Sequence, residues 1–245
     1  MTNSMPTVYL QDYAVFSGDL KRCFISDKTL INTINQYSYC IAERDAVFKT
    51  ALQQSDILLP DGIGIVAAVK LLSGQKITKI AGADIHHYLL EELNRKGGSC
   101  FYLGSTDNTL KKIVARLSKE FPNVKVCTFS PPYKPEFSDT DNLQMLEAVN
   151  VFQPDVLFIG MTAPKQEKWS YQHKTKLDAK IICSIGAVFD FYAGTVDRPS
   201  PFWIKLQLEW FIRLCNEPKR MWKRYLYYGP LFVKSIILQK IKSFT

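Results

Sequence analysis

The 245-residue sequence has little of the chemistry that builds metal centres or disulfide frameworks. It contains three histidines and six cysteines, with no C-x-x-C pair and no cysteine near a histidine at zinc-ligand spacing. Cysteines such as Cys183 lie inside apolar runs, which is typical of reduced core residues in a cytosolic protein. His86, His87 and His173 lack a partner pattern and are interpreted as surface or structural residues.

Long apolar runs are also missing. No stretch reaches the roughly 18–20 apolar residues that a membrane-spanning helix needs. The first ten residues show no basic region followed by an apolar segment, so no signal peptide is expected. These features predict a soluble or peripheral protein.

Positive charge is concentrated in one part of the chain. The net charge is +8, and residues 201–245 carry nine Lys and Arg against two Glu, a net charge of +7. Three of the four tryptophans, Trp203, Trp210 and Trp222, lie in the same segment, called the tail below. A near-neutral body with a cationic, aromatic tail predicts an anionic partner for the tail alone.

Apolar runs bounded by turn residues predict the strands of the body. They lie at 30–34, 56–59, 100–103, 124–129, 156–159 and 181–185. Amphipathic stretches such as 108–120 and 142–152 alternate with them, which indicates βαβ units. We expect an α/β fold: a Rossmann-like, mostly parallel sheet with flanking helices as a catalytic domain at 1–200, and a basic amphipathic helical appendage at 201–245.

The tail is predicted to form three short helices. Apolar spacing indicates a helix at 203–214, and Pro218 is suited to begin a second helix that runs to residue 228. Gly229 and Pro230 are expected to break that helix before a third one at 231–241. Basic helices with aromatic faces are typical of an interfacial element. The alternative is a bundle that packs its apolar stripe on the body.

Asp61 is the first candidate site residue, because ligands in open α/β sheets bind beyond the carboxyl ends of strands. It follows a predicted strand and precedes Gly62 and Gly64, so it is suited to act as a general base. The alternative is that Asp61 only caps the next helix. The segment also reads G-x-G-x-x-A through Ala67, with Asp84 twenty residues beyond Gly64, which weakly indicates an NAD-dependent oxidoreductase.

Other candidates follow later strands or lie in the tail. Gly160 and Gln166 flank a turn and helix start where N–H groups favour phosphate or sugar hydroxyls. Asp190 follows another apolar run. Guanidinium groups bind diphosphates in bidentate fashion, which makes the tail arginines candidates, with a solvated charged face as the alternative. Those arginines are Arg213, Arg220 and Arg224.

Asp139 and Asp141 form a D-x-D triplet, a pattern that can hold a metal against a nucleotide sugar. The triplet follows a proline-rich loop and precedes a helical run, so a solvated turn with a helix N-cap explains it. We therefore predict no metal at this position.

In order, these motifs closely resemble the WecG/TagA/CpsF family of bacterial glycosyltransferases over about residues 28–228. The set is Asp61-Gly62-x-Gly64, Gly82-Ala83-Asp84, Gly160-x-x-Ala163-Pro164-x-Gln166-Glu167, Gly186-Ala187-x-x-Asp190 and Leu208-Glu209-Trp210-x-x-Arg213-Leu214-x-x-Glu217-Pro218-x-Arg220-x-x-x-Arg224-Tyr225. The resemblance implies inverting, metal-independent transfer of N-acetylmannosamine or a related sugar from a UDP-sugar to an undecaprenyl-diphosphate-linked sugar. Products would enter teichoic acid or another surface polysaccharide.

The resemblance also implies roles for residues and partners. By motif, Asp61 resembles the general base, and the tail arginines resemble a diphosphate clamp. The remaining residues implied in substrate binding are Thr33, Asn35, Gly62, Lys79, Asp84, Gly160, Gln166 and Asp190. Lys79 replaces a common arginine and loses its bidentate fork, and Arg198-Pro199-Ser200 replaces the usual Arg-Ala-Pro.

The implied location is cytoplasmic and peripheral, on the inner face of the cell membrane, with an anionic membrane surface as a partner. Neither a cofactor nor a nucleic-acid partner is implied, and a homo-oligomer with exchanged tails is left open. A non-catalytic module that binds nucleotide sugars or lipid diphosphates is the alternative. If the tail completes the active site, removal of 201–245 is expected to abolish transfer even in detergent.

Overall fold

The computed structural model describes residues 5–20, 28–197, 199–200, 202–203, 206 and 208–243. Its strands are β1 Thr7–Leu10, β2 Tyr13–Phe16, β3 Thr29–Ile34, β4 Ile57–Pro60, β5 Ser99–Gly104, β6 Lys125–Phe129, β7 Val156–Gly160 and β8 Ile181–Ser184. They form one sheet in the order β1-β2-β4-β3-β8-β7-β5-β6. β1 and β2 are antiparallel, and the other described pairings are parallel. The predicted α/β fold is confirmed.

Helices connect the strands and cover both faces of the sheet. Those of the body are α1 Gln36–Ala42, α2 Ala46–Gln53, α3 Ile63–Ser73, α4 Gly82–Lys96, α5 Asp107–Glu120, α6 Asp139–Phe152, α7 Lys165–His173 and α8 Val188–Ala193. Those of the tail are α9 Glu209–Asn216, α10 Pro218–Trp222 and α11 Tyr228–Lys242. Several begin where the sequence supplies a capping side chain, as at Asn35 before α1 and Thr106 before α5.

The central strands are buried on both faces, which explains why they read as nearly continuous apolar runs. Along β5, Phe101 faces the cluster beneath α6 and α7, whereas Tyr102 faces the cluster beneath α4, α5 and α8. This alternation follows from the two-residue period of a strand. Because parallel strands share one direction, the residues after β3, β4, β7 and β8 meet at one edge of the sheet.

The last tail helix packs into the core of the body. Tyr228, Phe232 and Ile236 are spaced one helical turn apart and are buried in a cluster formed with β1, β2, α1 and α3. The Tyr39 hydroxyl reinforces this contact, because it accepts a hydrogen bond from Gln239 Nε2 at 2.8 Å. The alternative of a tail that packs on the body is confirmed for α11.

The predicted break at Gly229 and Pro230 is wrong. Both residues lie in the first turn of α11, where a proline is tolerated because its missing N–H costs little. A π-helical turn, Lys223–Tyr227, directly precedes α11, so the helical structure continues through this segment. The predicted helix at 203–214 overlaps α9, and residues 204, 205 and 207 of it lie outside the described residues, as does Arg198. No helix in the described ranges is long and apolar enough to cross a bilayer.

We predict that Phe232→Ala lowers the free energy of unfolding by about 3–5 kcal/mol, since it leaves a cavity between tail and body. The matched control is Val233→Ala on the same helix. Phe232 is 3% exposed and Val233 is 53% exposed, so the control change is expected to stay within about 0.5 kcal/mol. Urea unfolding of both variants checks this, and equal effects would contradict the described packing of α11.

Candidate active site

Asp61 lies directly after β4, at the shared carboxyl edge of the parallel strands. Its backbone N–H donates to the carbonyl of Ile34 at 2.9 Å, which joins the ends of β3 and β4. The N-cap of α3 is Gly62, with φ +108°, and no side chain of the described structure caps this helix. The alternative in which Asp61 only caps α3 is therefore wrong, and its carboxylate is left to serve the site.

Asp61 has the electrostatic properties of a general base. Burial raises its pKa to about 6, and the nearby carboxylates Glu209 and Asp84 also raise it. The cations Lys79 and Arg213 lower it. A base with this pKa is mostly ionised at neutral pH and still takes a proton readily.

Thr33 and Asn35 lie beside Asp61, as expected. Thr33 pairs in register with Leu59 next to the end of β4. Asn35 Oδ1 accepts from the backbone N–H groups of Tyr37 and Ser38, both at 3.0 Å, so this amide holds the start of α1. The Asn35 side chain therefore contributes by fixing the backbone beside Gly62.

Gln166 lies at the edge formed by β7 and β8. Its Oε1 accepts from the backbone N–H of Met161 at 3.2 Å, and its Nε2 donates to Glu167 Oε1 at 2.9 Å. A Cβ atom at Gly186 would lie 3.3 Å from Gln166 Oε1, and the φ of Gly186 is +51°. Because Gly186 has no Cβ atom, the Gln166 amide fits beside it between the ends of β7 and β8.

Gly160 has a packing role that its motif position did not reveal. A Cβ atom there would lie 2.4 Å from the ring of Phe189, so any side chain would displace α8. A Cβ atom at Gly104 would lie 2.5 Å from the carbonyl oxygen of Gly160. Close packing of β5, β7 and α8 thus explains this glycine, and its part in substrate binding stays a prediction.

Glu167 lies beside Gln166 and ends the motif that begins at Gly160, but it was not predicted to be a site residue. It is 2% exposed, and burial raises its pKa to about 7, while Gln166 and Arg224 lower it. Its Oε2 atom is buried and has no hydrogen-bond partner in the described structure. A glutamate in the first turn of a polar helix is ordinarily solvated. In the sequence, only its position beside Gln166 could have indicated that Glu167 belongs to the site.

Two tail arginines reach the strand ends over aromatic rings. The Arg213 guanidinium lies 5.1 Å from the ring centre of Phe191, and that of Arg224 lies 4.7 Å from the ring centre of Tyr37. Burial lowers the pKa of Arg224. Arg213 Nε is buried and has no acceptor among the described residues, which is rare for a buried donor.

Arg220 and Asp190 lie near each other at the end of β8. Burial raises the pKa of Asp190, and Arg220 lowers it. Arg220 Nη1 is also 2.9 Å from Glu217 Oε2 within the tail. All three arginines thus face body carboxylates or aromatic rings, and the alternative of a merely solvated charged face does not describe Arg213 or Arg224.

Lys79 and Asp84 complete the cluster on the side of α4. Lys79 Nζ lies 2.9 Å from Glu209 Oε2, a contact between the body and the first residue of α9. Asp84 Oδ2 accepts from the backbone N–H of Ala81 at 2.8 Å and so holds the start of α4. A dinucleotide fingerprint needs an acidic residue after the next strand, so this position in a helix contradicts the NAD alternative.

A groove of about 1450 Å³ lies between α4, α5 and α8. Its wall includes Ile80, whose N–H donates to the carbonyl of Pro60 at 2.9 Å, immediately before Asp61. Phe191, whose ring lies against Arg213, also lines this groove. The groove is large enough for a sugar-sized substrate.

The D-x-D triplet lies elsewhere, after β6. Ser138 caps α6, and Asp141 Oδ2 accepts from the backbone N–H of Ser138 at 2.8 Å. The Lys134 ammonium, which also bonds this carboxylate, lowers the pKa of Asp141 to about 2. The predicted helix start at Asp139 and Asp141 is confirmed, but its N-cap is Ser138, and Asp141 is buried at 7% exposure where a solvated turn was expected. The described residues contain no group of three or more His, Cys, Asp or Glu side chains arranged to hold a metal.

A buried carboxylate near a set of cations, beyond the strands of a parallel sheet, is an arrangement that suits an enzyme for group transfer with an anionic leaving group. The family model described as "Glycosyl transferase WecG/TagA/CpsF family" matches residues 12–245. The chain belongs to this family and is a glycosyltransferase.

Several relatives carry one name, N-acetylglucosaminyldiphosphoundecaprenol N-acetyl-beta-D-mannosaminyltransferase. The protein of Bacillus subtilis strain 168 is 31% identical over 213 residues, which cover 86% of this chain and 81% of the relative. That of Bacillus spizizenii is 28% identical over 179 residues, 73% and 67% of the two chains. That of Staphylococcus aureus strain MRSA252 is 24% identical over 227 residues, 91% and 87%.

We predict that Glu167→Gln changes how stability depends on pH. The folded protein binds the Glu167 proton more tightly than the unfolded chain, because burial raises the pKa from 4.5 to about 7. The free energy of unfolding therefore falls as pH rises through this window, by up to about 3 kcal/mol from this group. Between pH 5 and pH 8 the variant should gain that amount relative to the wild type.

Urea unfolding at several pH values measures the difference. Glu147→Gln is the control, because it makes the same change of charge at an exposed position on α6. Parallel stability curves for wild type and Glu167→Gln would contradict a raised pKa at Glu167.

Proposed function

We propose that this glycosyltransferase moves N-acetylmannosamine from a UDP-sugar to an undecaprenyl-diphosphate-linked N-acetylglucosamine. The names of the relatives support the sugar and the acceptor. One observation carries the chemistry: Asp61, with a pKa raised to about 6, follows directly after β4 and lies within the electrostatic influence of the cations Lys79 and Arg213. The product would enter teichoic acid or another surface polysaccharide.

The reaction is a single in-line displacement. Asp61 takes the proton of an acceptor hydroxyl while the hydroxyl oxygen forms a bond to the anomeric carbon of the donor. The bond from that carbon to the diphosphate oxygen breaks, and UDP leaves with the bonding electrons. Attack on the face opposite the leaving group inverts the anomeric centre. No step of this scheme needs a metal ion.

The tail arginines stabilise the leaving diphosphate. Arg213 offers a buried, unpartnered Nε, and its planar group suits two phosphate oxygens. Arg220 and Arg224 lie near the ends of β8 and β7, on the same side of the sheet as Asp61. Preorganised donors of this kind act where charge develops in the transition state.

The tail also supports contact with an anionic membrane surface, on the inner face of the cell membrane. Lys219, Lys223 and Lys234 are exposed cations of this segment. Its exposed large apolar side chains are Phe202, Leu206, Trp210, Phe211, Trp222, Leu226, Tyr227, Val233, Ile237, Leu238 and Ile241. Cations interleaved with aromatic and aliphatic groups suit the headgroup region, where the lipid-linked acceptor is found.

We predict that Asp61→Asn lowers kcat by roughly 10²–10⁴-fold, because the acceptor proton has no base. UDP binding should persist, since the phosphate-binding cations remain. In the wild type, kcat/KM should fall as pH drops below about 6, where Asp61 becomes protonated. Product formation and UDP release are measured with a short-chain acceptor, with Asp139→Asn as the control.

Near-wild-type turnover of Asp61→Asn would refute the assignment of the base. UDP binding without product in the wild type, over a panel of UDP-sugars and acceptors, would favour the non-catalytic binding module. The same assay thus separates both outcomes from the proposed transfer.

The role of the tail is best tested by point variants, because deleting 201–245 would also remove the buried Phe232. We predict that Arg213→Ala lowers kcat/KM on a water-soluble acceptor by roughly 10²-fold, the usual effect of losing a transition-state donor. Lys234→Ala should leave this reaction unchanged and weaken cosedimentation with anionic vesicles. If Lys234→Ala impaired the soluble reaction equally, the division between site and membrane surface would be wrong.

A further inference from the structure

Lys79 forms an ion pair with a carboxylate of the tail. Its Nζ atom is 2.9 Å from Glu209 Oε2, and the two residues lie 130 positions apart in the chain. Their side chains are 23% and 17% exposed, so the pair is partly withdrawn from water. An ion pair that is partly withdrawn from water is stronger than a fully solvated one. A phosphate that binds Lys79 must therefore displace Glu209 or lie close to its negative charge, and either change costs free energy.

Glu209 also belongs to the charge cluster around Asp61. It lies one helical turn before Arg213 on α9, so both side chains share a face of that helix. Glu209 and Asp84 raise the pKa of Asp61, whereas Lys79 and Arg213 lower it. The cluster thus holds three carboxylates and two cations before any substrate arrives, and a diphosphate would add further negative charge.

We propose that Glu209 is a placeholder for the diphosphate: it holds Lys79 in the ligand-free enzyme and releases it to the phosphates of the nucleotide. The inference rests on the proposed function, because it takes a nucleoside diphosphate as the ligand. Binding would exchange one anion for another at Lys79. When UDP departs, Glu209 takes Lys79 back, which keeps the cation oriented and shortens the residence of the product.

The competing description is that Glu209 permanently orients Lys79 toward the phosphates. The two descriptions predict opposite signs. A placeholder competes with UDP, so its neutralisation tightens UDP binding. An orienting group assists UDP, so its neutralisation weakens binding.

Isothermal titration with UDP measures the sign. We expect Glu209→Gln to bind UDP about three- to thirtyfold more tightly than the wild type, the range expected when a close repulsive charge is removed. Glu147→Gln makes the same charge change on α6 and should alter the affinity less than twofold. Unchanged or weaker binding by Glu209→Gln would overturn the proposal.

A double-mutant cycle with Lys79→Met shows whether the effect passes through Lys79. In the Lys79→Met background, Glu209→Gln should lose most of its gain. If Glu209→Gln tightens UDP binding as much in this background as in the wild type, Glu209 repels the phosphates without acting through Lys79. The proposal would then fail. Glu209→Asp, which keeps the charge, should bind UDP like the wild type, and unfolding midpoints verify that each variant is folded.

The pH profile supplies a readout that a purely structural role would not move. Glu209→Gln removes a carboxylate near Asp61, so the acid limb of kcat/KM should shift to lower pH. A wild-type protein that binds no UDP would reject the proposed function itself. A wild-type protein that binds UDP, with no tightening in Glu209→Gln, would reject the placeholder alone.

Discussion

Compensation of buried charge at the carboxyl edge of the sheet is the constraint on which the site depends. Burial raises the pKa values of Asp61, Glu167 and Asp190, which come from the ends of three different strands. Arginines of the tail lower these same pKa values. A carboxylate withdrawn from water without an opposite charge destabilises the fold or takes up a proton. The body therefore presents most of the carboxylates and the tail most of the cations, and the Lys79–Glu209 pair joins the two segments in the opposite sense.

The tail combines three features that are read separately in the sequence: residues of the core, an exposed apolar surface, and an arginine at the strand ends. One side of α11 is part of the core through Phe232, and the tail also exposes aromatic and aliphatic groups such as Trp222 and Ile237. Between them, α9 carries Arg213 to the strand ends. Because packing fixes α11 to the body, contact with a lipid surface and contact with the leaving group would be coupled through rigid helices.

Much of the fold could be predicted from sequence, because strands buried on both faces read as apolar runs. The edge hairpin of β1 and β2 was missed, since each of its strands has only four residues and gives little periodicity to read. Asp61 could be found because a strand, a carboxylate and glycines follow one another locally. The pairing of Lys79 with Glu209 could not, because it joins residues brought together only by the tertiary fold. The break expected at Pro230 failed because this proline lies in the first turn of α11, where its missing N–H costs little.

Gly64 links the motif around Asp61 to the tail. A Cβ atom at this position would lie 3.6 Å from Phe232 and 3.4 Å from Gln36 Oε1, in ordinary van der Waals contact with both. A side chain larger than that of alanine would meet the last helix. The sequence of the first turn after β4 and the packing of α11 therefore constrain each other, so a change in either segment is felt in the other.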